Sequence, residues 1–398
     1  MRVNIIDKSA CCGCTACQSK CPKNAINLIA DDEGFKYPVV NDELCVECGL
    51  CVAVCPMISK VEHLRDNDFQ PNVYMVKNKS DEVRYKSSSG GVFTALYESV
   101  IQKGGAVYGA RYEKEYFFKV KHDRATTIQE CEQFRKSKYV QSDLSGVFEV
   151  IKDDLSNGRR VLFSGTPCQV SGLRLYLRNI NIDNLYIVDM ICHSVPSPLL
   201  WEEFIKYIGI KHGSQVIDFT SRYKKAGWHT NYNCYVLKNG KKYYRNKLSC
   251  NHHSLFNAKL ISRPCCYSCK FTDLPHTGDL TMADFWGIEN VDKAFDDNKG
   301  VSALVINTPK GRQLFEKIKD KLVCQPSTAQ TILAYNHSES ISMNPKRDQF
   351  WEDYRNWGYL YVAKKYADYS YSRRLVWYLK KMVRKYMPSV ILHRLLKK

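Results

Sequence analysis

Apolar positions fall into short blocks through the middle of the chain. Val73-Tyr74-Met75-Val76, Ala106-Val107-Tyr108-Gly109-Ala110, Val161-Leu162-Phe163-Ser164-Gly165 and Leu185-Tyr186-Ile187-Val188-Asp189-Met190 are compact runs bounded by glycine or polar residues. That is the pattern of buried strands. Val92-Phe93-Thr94-Ala95-Leu96-Tyr97 suits a helix instead, opened by the small-residue turn Ser87-Ser88-Ser89-Gly90-Gly91 and closed by Gly104-Gly105. Strands alternating with helical stretches predict a mixed α/β body over residues 73–335, in an N-terminal part (73–160) and a C-terminal part (161–335). Residues 61–72 are polar, contain Pro71 and read as a linker. The remainder, 336–398, divides into an aromatic, irregular segment and a basic amphipathic tail. In the tail, residues 372–387 follow the helical period of about 100° per residue. Leu375, Tyr378, Leu379, Met382, Val383 and Tyr386 share one face, with Arg373, Lys380, Lys381 and Arg384 opposite.

Charge sharpens the reading of that tail. The 398 residues carry 59 Lys and Arg against 41 Asp and Glu, a formal net charge of +18. Half of the excess lies in residues 371–398, which hold nine basic residues and no acid. Basic charge beside an apolar face predicts docking on an anionic membrane surface; a C-terminal helix packed on the body with a solvated basic face is the alternative. Nucleic-acid binding is not expected, because the excess is concentrated in the tail rather than spread over a groove. No run of 18 apolar residues occurs, and residues 1–25 lack the apolar core of a secretory signal. The expected location is cytoplasmic, with the tail able to hold the protein peripherally on the inner face of the membrane.

The cysteines carry the chemistry. There are 18 of them, and in a reducing compartment they point to metal rather than to disulfides. Residues 1–60 contain two copies of C-x2-C-x2-C-x3-C-P, Cys11 through Pro22 and Cys45 through Pro56, offset by 34 positions. This is the bacterial ferredoxin spacing, in which the fourth cysteine of each run ligates the other cluster. Cys11, Cys14, Cys17 and Cys55 are therefore assigned to one [4Fe–4S] cluster, and Cys45, Cys48, Cys51 and Cys21 to the second, leaving Cys12 spare. Zinc knuckles pair C-x2-C units across a longer gap and do not fit. A further group, Cys168, Cys192, Cys266 and Cys269, forms a candidate third four-thiolate site, two of its members following strands; buried apolar cysteines are the other reading. Cys131, Cys234, Cys250 and Cys324 are isolated and read as core. His252 and His253 have no partner at metal-ligand spacing, and the same holds for His193.

Clusters move one electron at a time, and a flavin converts between one- and two-electron chemistry. The turn at 87–91 could present N–H groups and hydroxyls to a phosphate, and residues 136–142 offer basic groups and an aromatic ring.

Taken together, these residues resemble the beta subunits of coenzyme F420 (deazaflavin) hydrogenases and dehydrogenases over most of 1–335. The resemblance rests on the double cysteine motif, Asp32-Glu33-Gly34-Phe35 with Tyr37-Pro38, Ser88 to Gly91 and Lys138-Tyr139-Val140-Gln141-Ser142. It also rests on Gly165-Thr166-Pro167-Cys168-Gln169, Cys192-His193 with Val195-Pro196-Ser197, Gly227-Trp228, Cys266 with Cys269, and Asp284-Phe285-Trp286-Gly287. Ser194 and Ala283 stand where the family has glycine. The resemblance implies an FAD and a [4Fe–4S] cluster in the body beside the N-terminal pair. Carried over by motif, Ser89, Gly90, Gly91, Lys138 and Thr166 would contact the flavin, and His193 is the candidate catalytic group. The expected fold is α+β: a ferredoxin domain, a larger mixed α/β flavin-binding body and the basic C-terminal helix. The expected function is an iron–sulfur flavoprotein oxidoreductase, of a kind resembling reductases associated with surface-polysaccharide biosynthesis, passing electrons between a two-electron donor or substrate and the clusters. Its partner would be a redox protein or a soluble donor. The alternative is a non-catalytic electron-transfer subunit, one that feeds a separate enzyme.

Overall fold

Asp31 begins the first turn that matters to the architecture. Its Oδ1 accepts the backbone N–H of Glu33 at 3.0 Å and of Phe35 at 2.9 Å, closing a hairpin between β1 (Ile26–Ala30) and β2 (Lys36–Val40). The two strands pair antiparallel, Ile26 opposite Val40 and Ala30 opposite Lys36. Gly34 turns at φ +82, and a Cβ there would lie 2.4 Å from Leu199 Cβ. Glycine thus lets the hairpin tip press against the helix Pro198–His212. In this computed structural model the described residues are 2–367 apart from 6, 60, 62–63, 65–67, 114–118, 231, 245, 247 and 337–338.

The cysteine loops beside the hairpin repeat in backbone as well as in sequence. Gly13 (φ 70) and Thr15 (φ 67) precede the helix Ala16–Lys20, and Glu47 (φ 50) and Gly49 (φ 76) precede the helix Leu50–Ala53. Each positive-φ pair is separated from its copy by the same 34 residues, although the residue types differ.

The body is built on a sheet whose strands are β3 (Asn72–Asn78), β4 (Ala106–Tyr112), β5 (Val120–Ala125), β6 (Val161–Ser164) and β7 (Leu185–Met190). After the separate strands β8 (Val216–Thr220), β9 (Cys234–Leu237) and β10 (Lys242–Tyr244), it is completed by β11 (Leu280–Asp284), β12 (Ser302–Ile306) and β13 (Leu322–Ser327). The order is β13-β3-β12-β11-β7-β6-β4-β5. β4, β6, β7 and β11 run parallel, and the other neighbours are antiparallel. One sheet therefore takes strands from both sides of residue 160. Helices Val147–Ser156 and Pro167–Tyr176 cover one face, and Cys12, Cys14, Ala16 and Val54 join that core. Val92–Ile101 and Pro309–Glu316 cover the other. The strand runs and the helix at 92 stand where the apolar pattern put them.

The small sheet β10-β9-β8 packs with Pro198–His212 around Trp201, Phe204 and Trp351. Trp351 belongs to a helix, Arg347–Ala367, in the stretch expected to be irregular. Gly358 (φ 72) interrupts it, which breaks the apolar period that would have announced it. Its first residue, Arg347, is buried and forms a two-pronged ion pair with Glu33 of the hairpin, Nη1 to Oε1 at 2.9 Å and Nη2 to Oε2. The basic amphipathic segment 372–387 lies outside the described residues. Among those residues no helix is long and apolar enough to cross a membrane.

Candidate metal centres

The ferredoxin loops gather two sets of thiols. Cys17 is a near neighbour of Cys11 and Cys55, and Cys14 of Cys17 and Cys55. Burial, then the charges of Cys11 and Cys55, push the Cys17 thiol up to about 12, a penalty that an iron core bound to the thiolates would remove. Cys21, Cys45, Cys48 and Cys51 line one cavity with Arg2 and Pro22. Backbone N–H groups already point at two of these sulfurs, Val3 to Cys51 and Ala25 to Cys21, each at 3.3 Å. The two sets are adjacent, because Cys51 neighbours both Cys17 and Cys55. Cys48 is exposed at the outer end.

The third candidate set is assembled by the strand ends of the body. Cys168 sits in the first turn of Pro167–Tyr176, whose Thr166 and Gln169 make a reciprocal cap, and Thr166 Oγ1 lies 3.2 Å from Cys168 Sγ. Cys192 follows β7, the parallel neighbour of β6. Ligand groups collect at such strand ends in α/β proteins. Cys266 and Cys269 come from the short turn after Arg263, which is pinned to the 192–197 loop by Arg263 N–H to Val195 O at 3.0 Å. All four thiols are mutual neighbours. Burial and the facing Cys266 and Cys168 raise Cys192, and burial lifts Cys269 to about 12. The adjacent Cys265 thiol lowers Cys266 below the usual thiol range, against the opposing effect of burial.

The donor sets are all sulfur, which suits zinc or iron–sulfur clusters. Tetrahedral zinc with Zn–S of about 2.3 Å needs sulfurs about 3.8 Å apart. Among the described residues no three cysteine sulfurs lie within 4.8 Å of one another; only His229, Glu289 and Asp296 gather so closely. Among the described residues no cysteine set is therefore drawn in to the spacing of a tetrahedral zinc site.

Two residues that the spacing left without a role connect these sets. Cys12, buried, neighbours both Cys14 and Cys168, and Cys265 neighbours both Cys12 and Cys266. Arg263 was not singled out by any motif, yet it is fully buried between the sets. A basic residue immediately before Pro264 and the cysteines was the only available signal.

The flavin candidates are drawn together in part. Ser88 Oγ accepts the N–H of Ser137 at 2.8 Å, joining the 87–91 turn to the 136–138 loop. Ser89 Oγ donates to Val301 O at 2.7 Å, and Gly90 N–H to Ser302 Oγ at 2.9 Å. A Cβ on Gly90 would lie 2.4 Å from Val76 O, and Gly91 turns at φ +85, so close packing on β3 requires the first glycine and the left-handed turn favours the second. Lys138 Nζ donates to the carbonyls of Gln133, Arg135 and Lys136, and Lys224 Nζ to those of Arg84, Ser89 and Lys299. Among the described residues neither ammonium pairs with a carboxylate. Burial lowers each to about 7. An anionic group beside the turn would favour the charged form of both lysines, and this is the respect in which the residues suit a flavin pyrophosphate. Thr166 lies at the third thiol set through its contact with Cys168. His193 is half-buried next to Cys192. His252 is buried against Trp201 and Phe204, and half-buried His253 packs on Tyr139 and Phe256, as core histidines.

The cysteine sets on this scaffold define an iron–sulfur protein of the dicluster ferredoxin class, and residues 4–62 match the 4Fe-4S dicluster domain, which holds two [4Fe–4S] clusters. Residues 158–331 match the C-terminal region of the coenzyme F420 hydrogenase/dehydrogenase beta-subunit family, and that part of the chain belongs to the family. It is similar to an F(420)H(2) dehydrogenase subunit (Methanosarcina mazei), 22% identical over 339 residues, covering 80% of this chain and 85% of the relative. It is also similar to the coenzyme F420-dependent sulfite reductase of Methanocaldococcus jannaschii, 27% identical over 173 residues, 43% of this chain and 26% of that one. Among solved structures, the F420-reducing [NiFe] hydrogenase complex from Methanosarcina barkeri aligns with a TM-score of 0.45 and 16% identity, over 76% of this chain and 91% of its counterpart. The first two of these relatives are named as oxidoreductase components.

Proposed function

We propose that the chain is an iron–sulfur flavoprotein oxidoreductase that passes electrons between a two-electron donor or substrate at FAD and a line of three [4Fe–4S] clusters. Cys11, Cys14, Cys17 and Cys55 hold the inner ferredoxin cluster, Cys21, Cys45, Cys48 and Cys51 the outer one, and Cys168, Cys192, Cys266 and Cys269 the third. The carrying observation is continuity: Cys12 neighbours both Cys14 of the inner set and Cys168, and Cys51 of the outer set neighbours Cys17 and Cys55 of the inner one. FAD, when bound, supplies the exchange between electron pairs and single electrons. Ser89, Gly90, Gly91 and Lys138 are proposed to seat it, supported by the buried amines of Lys138 and Lys224, whose charged forms an anion would stabilise. Thr166 orients Cys168, and His193 is proposed to hold or release a proton beside the third set. At the outer end, exposed Cys48 with Leu44 and Val46 offers an exit toward a redox partner protein.

Anaerobic purification with iron, sulfide and flavin analysis tests this reading. Three cubanes require about twelve irons and two require about eight. Cys168→Ala and Cys266→Ala should each reduce a twelve-iron protein by about four; unchanged iron returns those cysteines to the core. A chain that retains its clusters without flavin and turns over no small substrate is the non-catalytic electron-transfer subunit, a reading favoured by the internal hydrogen bonds of Ser89 and Gly90. The charge and apolar period of 372–398 support docking on an anionic membrane surface. Deleting those residues should move the protein from the membrane to the soluble fraction, and unchanged fractionation rejects the docking.

A further inference from the structure

A guanidinium with no solvent exposure sits between the inner ferredoxin loop and the third thiol set. Arg263 Nε donates to Cys11 O at 2.7 Å, Nη1 to Gln141 Oε1 at 2.9 Å, and Nη2 to Lys36 O at 2.9 Å. Nη2 also reaches Cys11 Sγ at 3.5 Å. The group stacks 4.4 Å over Tyr37 and 5.3 Å from the Phe35 ring centre. Its own chain continues through Pro264 into Cys265 and Cys266. Among the described residues no carboxylate pairs with it, whereas the buried charges of the neighbouring hairpin, Glu33 and Arg347, neutralise each other.

An isolated buried cation is expensive to desolvate. The environment compensates part of that cost with carbonyls and aromatic faces, which carry only partial charge. A [4Fe–4S] core with four thiolates is a dianion when oxidised and a trianion when reduced, so a cluster on Cys11 would supply the missing countercharge. The outer set differs. The cations lining its cavity are Arg2, part-exposed and already paired with Asp42, and the exposed Lys23, so solvent and carboxylate weaken their field.

We infer that Arg263 sets the reduction potential of the inner cluster, making that cluster a more favourable resting place for the electron than the outer one. The inference rests on the assignment of a cubane to Cys11, Cys14, Cys17 and Cys55. One electron from a reductant such as dithionite takes that cluster from dianion to trianion; no bond forms or breaks and no proton is required. The fixed positive charge and the N–H···S contact favour the more negative state, since charge and hydrogen bonds to sulfur are the protein's means of tuning such potentials. Gln141 holds the guanidinium in place and also donates Nε2 to Cys12 O at 3.0 Å. Both residues are potential-setting and positioning residues rather than ligands.

The test is a redox titration followed by electron paramagnetic resonance, with iron and sulfide counted on every sample of the full chain. Arg263→Gln removes the charge. Gln141→Glu leaves Arg263 in place and neutralises it with a carboxylate of nearly the same shape. Arg263→Lys keeps the charge without the fork. In both neutralising variants one cluster should become at least tenfold harder to reduce, about 59 mV for one electron, with the outer cluster unmoved and Arg263→Lys falling between them and the parent. Should Arg263→Gln lose iron, Gln141→Glu alone decides. Unchanged potentials in an iron-replete Gln141→Glu protein overturn the inference, as does an equal shift of all clusters. A parent protein without iron and labile sulfide would instead refute the cluster assignment itself, before any variant is measured.

Discussion

Single residues carry the geometry of the cysteine loops. Gly13 turns at φ +70, and a Cβ on it would lie 2.7 Å from Gln141 Nε2 and 2.8 Å from Arg263 Nη1. Gly13→Ala therefore adds a collision with both residues to the strain of about 1–2 kcal/mol that an L side chain meets in the left-handed region. Its iron content and melting temperature should fall below those of Gly49→Ala, which meets the left-handed strain in the second cysteine loop; equal effects would show that the collision is absorbed. Ser194 is the informative departure from the family pattern. It adopts φ +97, a conformation that explains the usual glycine, and its hydroxyl is 2.8 Å from Ser262 Oγ. Ser194→Ala keeps the strain and loses that hydrogen bond, so it should lower stability by about 1 kcal/mol. Ser194→Gly trades the bond for relief of strain and should come out near neutral in chemical denaturation. The other departure, Ala283, is an ordinary strand residue opposite Ala303, where no glycine is needed.

At the level of elements, the hairpin is locked to the rest of the chain by ion pairs of very different worth. Glu33 and Arg347 are both buried, and removing one partner strands the other's charge away from water. Arg347→Met should cost about 3–5 kcal/mol in urea unfolding, with much of the loss recovered in the Arg347→Met, Glu33→Met double variant. Arg355 reaches Asp32 on the same hairpin at 2.9 Å, but both side chains are about half exposed. Arg355→Ala should cost less than about 1 kcal/mol. Neither lock was legible beforehand, because partners so far apart along the chain leave no local pattern. The strands were legible, since β6 and β7 are buried on both faces and read as continuous apolar runs. The helix Arg347–Ala367 was not, because the Gly358 break and a surface rich in charge and aromatics hide its period. The cysteine sets divide along the same line. The ferredoxin ligands are set by spacing within one loop, which sequence records directly. The third set is joined by strand order in space, so its spacing left the grouping of Cys168, Cys192, Cys266 and Cys269 open and the resemblance strengthened it. The bridging thiols Cys12 and Cys265 and the buried Arg263 depend wholly on that packing.

Over the whole molecule, buried histidines link fold stability to acidity. His122 on β5 directs Nε2 to Ser164 O at 2.8 Å, which requires the proton on that nitrogen, while Nδ1 has no partner. Burial depresses His122 to about 4, His252 to about 3 and His253 to about 4. In the unfolded chain each would titrate near 6.5. Above that value all three are neutral in both states and contribute no pH dependence. As pH falls below about 6.5 the unfolded chain takes up protons that the folded chain refuses, so stability drops, by up to about 1.4 kcal/mol per pH unit for each histidine. The loss levels off only when the folded-state values of 3 to 4 are passed. His122 and the 252–253 pair lie in different parts of the body, one stacked on Phe163 of the large sheet and the others in the aromatic core of the small one. Acid should therefore weaken both layers together, rather than detach the ferredoxin segment alone. Denaturant midpoints measured anaerobically from pH 7.5 to 5 should fall, and replacing His252 by Gln should flatten the slope by about one proton while lowering stability at neutral pH. A midpoint that does not change between those pH values would mean that the imidazoles admit a proton without opening the core.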